Sequence, residues 1–248
     1  MTATVGTVRS VDRALDILLC FAKANGELSL SQLARLTGLH KSTTHRLLSS
    51  LLEKGFVRKH AESERYTLGW SVLELIGSLY QSDQLSAVTL PEMTHLRDEI
   101  GETVSLYIRS GNERIRIQAV ESTESIRNVA IVGKTYPLCV GASGKVLLAF
   151  SEPSTTEEVL RQAEPPLTVN LATLRKELEQ IRTQGYATSI QERDPAAAAL
   201  AVPVFGRAGV IAALSISGPF SRFSSKKMEA CLPLLLSSAK HIMQLITH

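Results

Sequence analysis

The chain has 248 residues, of which 44% are hydrophobic and 21% charged, and a formal net charge of only +3. This is ordinary globular composition; it excludes a disordered chain or a polyelectrolyte binder, so any basic surface must be local. The length exceeds the commonest single-domain size and sets an expectation of two domains. Cys20, Cys139 and Cys231 are odd in number, far apart and form no CxxC. That pattern fits free thiols in a reducing compartment. The opening "MTATVGTVRS" lacks the apolar stretch of a signal peptide. No apolar run approaches the ~18 residues of a membrane span, so a cytoplasmic protein with no membrane partner is expected.

In chain order, "SVDRALDILLCFAKANG" predicts a helix capped by Ser10, with Asp12 in its first turn and Asn25-Gly26 at its end. Its expected apolar row is Ala14, Leu15, Leu18, Leu19 and Ala22. "SLSQLARLTG" predicts a short helix capped by Ser29 or Ser31 and stopped at Gly38. "HKSTTHRLLSSLLEKG" predicts a third, burying Thr44, Leu47, Leu48 and Leu51. "FVRKHAESERYTLG" reads as a small hairpin, and "WSVLELIGSLYQS" as helix again. From about residue 83 the pattern changes. A helix with Pro91 early in it or kinking it leads to two alternating strands, "ETVSLYI" and "ERIRIQAV", around Ser110-Gly111-Asn112. A strand is expected at "IRNVAIVG", then helices at "GASGKVLLAF" and "TLRKELEQIRTQG". Strands follow at "YATSIQE", "AALAVPVF" and "GVIAALSIS", the last two joined by Gly206 to Gly209. A closing amphipathic helix is expected to be interrupted near Pro233. Six strands with hairpin connections predict an α+β domain with a mainly antiparallel sheet.

The stretch "GLHKSTTHRLLSSLLEKGFVRK" is locally basic. Between Arg35 and Lys59, Arg35, Lys41, Arg46, Lys54, Arg58 and Lys59 face a single acid, Glu53. A solvated basic helix face is the ordinary reading of such a run. Against it stands the order of parts: a small residue (Ala34), a turn glycine (Gly38), a second helix with apolar packing positions, then a hairpin. That is the order of a winged helix-turn-helix. It leaves Lys41, Ser42, Thr43, His45, Arg46 and Ser49 on outer faces of the second helix, where short hydroxyls suit phosphates and Arg46 can reach a phosphate or a guanine edge. Arg58, Lys59 and Arg65 flank the hairpin, where they can meet flanking backbone.

"SVDRALDIL", "LSLSQLARLTGLHKSTTHRLLSSLLEKGFV" and "RYTLG" resemble the DNA-binding half of the IclR family of bacterial transcription regulators. "GETVSLYI", "GASGKVLLAF", "GYATSIQE", "LAVPVF" and "ALSISGP" resemble its effector-binding half, in the same order. The match covers about residues 8 to 246. Each motif is weak alone; their ordered set is specific. The resemblance implies a winged helix-turn-helix over residues 1–68, a linker helix over 69–82, and a GAF-like effector-binding and oligomerisation domain over 83–248. It also implies homodimers or homotetramers on a palindromic double-stranded operator, acting as repressor or activator, with a small organic or aromatic acid as effector. The alternative is a GAF-like domain that only dimerises.

Carried over by motif, the effector site implies the backbone of Ala142 and Ser143, the side chain of Ser189, the neighbourhood of Ala199, and the hydroxyls of Ser215 and Ser217. The physics is compatible: a helix opening at Ala142 favours an anion, and serines two apart on a strand share a face. Serines bonded to neighbouring backbone are the ordinary alternative. Three departures from the family pattern stand out. Ser189 replaces a frequent acid, "ERDPAAAAL" lacks a usual turn glycine, and Cys139-Val140 stand where His and a small residue are common. Together they predict a ligand larger or less polar than small keto acids.

Enzymatic readings fail on spacing. In "VGKT" Asn128 occupies the first P-loop glycine position, and in "GASGKV" Cys139 occupies it. Gly141-Ala142-Ser143-Gly144 misses the G-x-S-x-G elbow by one place. His40 and His45 do not share a helical face as a zinc pair. No catalytic group, metal or cofactor is expected.

Overall fold

The computed structural model describes residues 7–24, 26–82, 84–162 and 170–247. The chain divides into two compact units, Met1–Asp83 and Gln84–His248.

The first unit begins with α1 (Arg9–Lys23), α2 (Leu30–Thr37) and α3 (Lys41–Glu53). Ser29 and Gln32 form a reciprocal capping box that starts α2, and Gly38 closes it at φ 67°. The Leu39 amide then donates to the Ala34 carbonyl at 3.0 Å, which sets the tight turn into α3. Ile17, Leu33, Leu48, Leu51 and Val57 make the core. Thr44 joins it fully buried; its hydroxyl donates to His40 O at 3.1 Å, so only its methyl has to pack. Strands β1 (Val57–Lys59) and β2 (Tyr66–Leu68) form the antiparallel hairpin, extended by a Leu28–Tyr66 bridge. Helix α4 (Trp70–Ser82) follows.

The first helix differs from its sequence reading. Val8, not Ser10, is the N-cap, and Asn25 lies outside the described residues. The buried row is Ile17 and Phe21, while Leu15 and Leu19 are exposed. This helix carries apolar side chains on two faces, and packing against α2 and α3 selects the face with the aromatic ring.

The second unit opens with α5 (Gln84–Ile100), followed by β3 (Thr103–Ser110), β4 (Glu113–Val120) and β5 (Thr135–Pro137). Next come α6 (Ala142–Ala149), α7 (Pro153–Gln162), α8 (Leu171–Gln184), β6 (Ala187–Ile190), β7 (Ala197–Gly206), β8 (Gly209–Pro219) and α9 (Ser225–Thr247). The strands form one six-stranded sheet in the order β5-β4-β3-β8-β7-β6, with every neighbouring pair antiparallel. Both faces are covered. Val104, Leu106, Leu200, Val202, Leu214 and Ile216 pack with residues of α5 and α9. The alternate positions Tyr107, Ala187, Ala201 and Ala213 pack with residues of α6, α7 and α8.

Two expectations need correction here. The strand expected over residues 126–133 is irregular backbone, and β5 takes the edge position instead. Gly133 N–H returns to Arg116 O at 2.7 Å, so pairing with β4 starts only where that segment ends. Ile126, Val129 and Ile131 are correspondingly exposed. Helix α9 runs unbroken through Pro233. A proline removes one backbone donor, and the burial of Cys231, Leu235, Ala239 and Ile242 on either side of it holds the helix together. Helix α7, hidden in the polar "PSTTEEVLRQ", has no counterpart in the sequence reading.

Candidate functional site

The outer surface of α3 carries the residues singled out in the sequence. Lys41, Ser42, His45, Arg46 and Ser49 are exposed and Thr43 is half-buried, while Thr44, Leu48 and Leu51 anchor the opposite face. Ser49 Oγ donates to His45 O at 3.0 Å. Among the described residues, neither Lys41 nor Arg46 takes part in a salt bridge. The hairpin cations are exposed but more engaged. Lys59 pairs with Glu64, which raises its pKa. Arg65 Nη1 donates to Glu27 O at 3.2 Å. Arg58 Nε donates to Leu68 O, and its guanidinium lies 4.6 Å from the centre of the Trp70 ring.

The second unit holds a cavity of about 50 Å³ on the α6 face of the sheet. Ala142, Ser143, Ser189, Ala199, Ser215 and Ser217, expected from separate stretches of sequence, all line it. The strand register explains the convergence: Ser189 pairs with Ala199, Ala199 with Ser217, and Ser215 with Ser105. Ser215 Oγ already donates to Leu200 O at 3.0 Å, so the ordinary role for a strand serine holds at that position. The first-turn amides of α6 have no intrahelical acceptor and give the cavity a partly positive wall. A Cβ on Gly144 would collide with the Arg114 guanidinium and the Leu138 carbonyl, so only glycine lets the helix start this close to the sheet.

The sequence reading missed the most strongly charged part of this wall. Arg114 and Arg116, on β4, are 4% and 3% exposed and line the same cavity with Tyr107 and Arg193. Arg116 Nε donates to Tyr107 OH at 2.9 Å. Arg114 Nη1 donates to the Pro137 and Val140 carbonyls. Both guanidinium groups lie within 5.1–5.6 Å of the Tyr107 and Tyr136 ring centres. Burial, with Arg193 and Arg116 nearby, pushes Arg114 down to about 10, which still leaves it charged at neutral pH. The signal was present in "ERIRIQ". Arginines two apart on a strand share a face, and here that face is covered by helices.

Acids are present too, three and five positions after Ser189. Glu192 Oε2 accepts the Gly141 amide at 2.9 Å, and its Oε1 accepts from the buried Lys145 at 2.6 Å. The loop shape that needed a glycine is reached otherwise: Gln191 adopts φ 55°, and Asp194 Oδ1 accepts Ala196 N–H at 2.9 Å. The departures from the family pattern predict a larger or less polar ligand; the cavity itself is small and charged, lined by the two β4 arginines and by residues of the 191–197 loop. Among the described residues, no group of three or more His, Cys, Asp or Glu is placed to hold a metal, and no helix is long and apolar enough to cross a membrane.

Comparison with known proteins places both regions in context. The family model described as "Bacterial transcriptional regulator IclR C-terminal" matches residues 78–244, and the "IclR helix-turn-helix domain" model matches residues 10–61. The chain is 33% identical over 245 residues to the transcriptional repressor IclR of Escherichia coli K12, covering 96% of this chain and 89% of that protein. The crystal structure of an IclR transcriptional regulator from Alicyclobacillus acidocaldarius superposes with a TM-score of 0.85 at 27% identity, covering 97% and 99% of the two chains. An IclR homologue from Microbacterium hydrocarbonoxydans, complexed with 4-hydroxybenzoate, gives 0.79 at 27% identity over 95% and 98%.

Proposed function

The chain belongs to the IclR family of bacterial transcriptional regulators, which are DNA-binding transcription factors and not enzymes, and from that premise we propose an effector-gated regulator of a palindromic operator. In this reading residues 1–68 bind DNA, residues 69–82 link, and residues 83–248 form a GAF-like domain that binds effector and assembles homodimers or homotetramers. Lys41, Ser42, Thr43, His45, Arg46 and Ser49 enter a major groove. Arg58, Lys59 and Arg65 follow the flanking backbone. The effector is a small organic or aromatic acid held by the α6 amides of Ala142 and Ser143, by Ser189, Ser215 and Ser217, and beside Ala199.

The convergence of those six positions on one charged cavity carries the proposal. A module used only for dimerisation has no need to bury cations around a shared cavity. The solved relative that holds 4-hydroxybenzoate supports the same ligand class. Occupancy acts by its difference in affinity for two arrangements of the DNA-binding units, and it shifts operator binding by no more than that difference. The test is fluorescence anisotropy of the full chain on DNA from upstream of its own gene, titrated with small organic and aromatic acids. A saturable shift in operator affinity with at least one acid is expected. Tight operator binding that no acid alters favours the dimerisation-only alternative.

A further inference from the structure

We infer that the effector is a compact dicarboxylate, with one carboxylate at the α6 amides and serines and the second at the β4 arginines. This deepens the effector reading above and rests on it.

The inference starts from a charge imbalance. Elsewhere in the same unit, a buried ion is matched: Glu102, 1% exposed, takes a two-pronged pair from Arg222 at 2.6 and 2.9 Å. Arg114 and Arg116 have no such partner among the described residues. Burying a cation without a counter-ion is costly unless an anion arrives. The two tyrosine rings offset part of that cost through their faces. They do not satisfy the N–H donors, and Arg114 Nε and Arg116 Nη1 are buried without a hydrogen-bond partner. The carboxylates that line the cavity are already engaged: Glu192 is held by Gly141 N–H and Lys145, and Asp194 accepts the Ala196 amide. Arg193 adds a third guanidinium, 4.3 Å from the centre of the Tyr136 ring.

A single carboxylate answers only half of this wall. The helix start and the serines suit one anionic group, as the sequence already implied. The unpartnered donors Arg114 Nε and Arg116 Nη1, one on each guanidinium, can each give a charge-assisted hydrogen bond to a second carboxylate. Size sets the other limit. A cavity of 50 Å³ holds about four waters at ~10–15 Å³ each by this measure, so the two carboxylates are separated by a short chain.

The test is calorimetric titration of the full-length protein with matched pairs of acids: malonate against propionate, succinate against butyrate, glutarate against valerate. At least one dicarboxylate should bind 10-fold or more tightly than its monocarboxylate partner. Arg116→Gln should bring that ratio close to one. Arg193→Gln, at an exposed position, should lower the ratio without threatening the fold, and so covers the case in which Arg116→Gln unfolds. Equal binding of both members of every pair overturns the second carboxylate site and leaves the effector reading intact. Failure of all six acids to bind overturns the inference, and the small-acid effector reading is then in question as well.

Discussion

Arg46 projects into water from the first unit, whereas Arg116 in the second is 3% exposed and donates to Tyr107. The same guanidinium is thus used under two dielectric regimes. In water each charge is screened and cheap to keep, so recognition is built from many weak contacts along a polyanion. In the cavity the surroundings amplify each charge, so a few groups discriminate strongly but need a partner. Exposed arginines suit a search along a polyanion; buried ones suit the selection of a single anion.

The largest expected difference lies in salt response. Raising salt from ~50 to ~200 mM should weaken operator binding by roughly 10³-fold if about six phosphates are contacted. Acid binding in the cavity should change far less over the same range, read by calorimetry. Comparable salt slopes for both would break the distinction. Next in size, Arg46→Ala should cost about 1–3 kcal/mol of operator affinity, with acid affinity and melting temperature unchanged. Unaltered operator affinity would mean that another face of α3 reads the DNA. The smallest effect is expected from Tyr107→Phe combined with Arg116→Met. It removes the buried cation and its two hydrogen bonds to the Tyr107 hydroxyl together, so ligand-free stability should change by less than about 1 kcal/mol, or rise. A fall of several kcal/mol in chemical denaturation would identify Arg116 as a structural brace instead.

Much of the first unit was legible because its signals are local. Ser29 with Gln32, Gly38 and the hairpin residues act within a few positions of themselves. The face of α1 was not legible, since Leu15 and Leu19 compete with Ile17 and Phe21 at helical spacing and only the neighbouring helices decide. In the second unit the serines and the helix start were visible through motif. The arginines at 114 and 116 were visible as residues but not as a site. An alternating strand reads as half solvated, and the sequence does not say that helices cover both faces of this sheet. The 126–133 segment failed for a related reason. Its β-branched residues fit a strand, yet the edge of the sheet was taken by Thr135–Pro137.

The stacking of Arg58 on Trp70 has a practical consequence. Trp70 is the chain's single tryptophan, it is 65% exposed, and it belongs to the first unit, whereas the aromatic rings at the cavity are those of tyrosines 107 and 136. Indole emission therefore originates in one unit, whereas the proposed acid site lies in the other. A shift in emission wavelength or quenching on adding a non-absorbing acid such as succinate reports an event that has crossed Asp83–Gln84. The protein carries its own optical gauge of communication, with no dye and no DNA required.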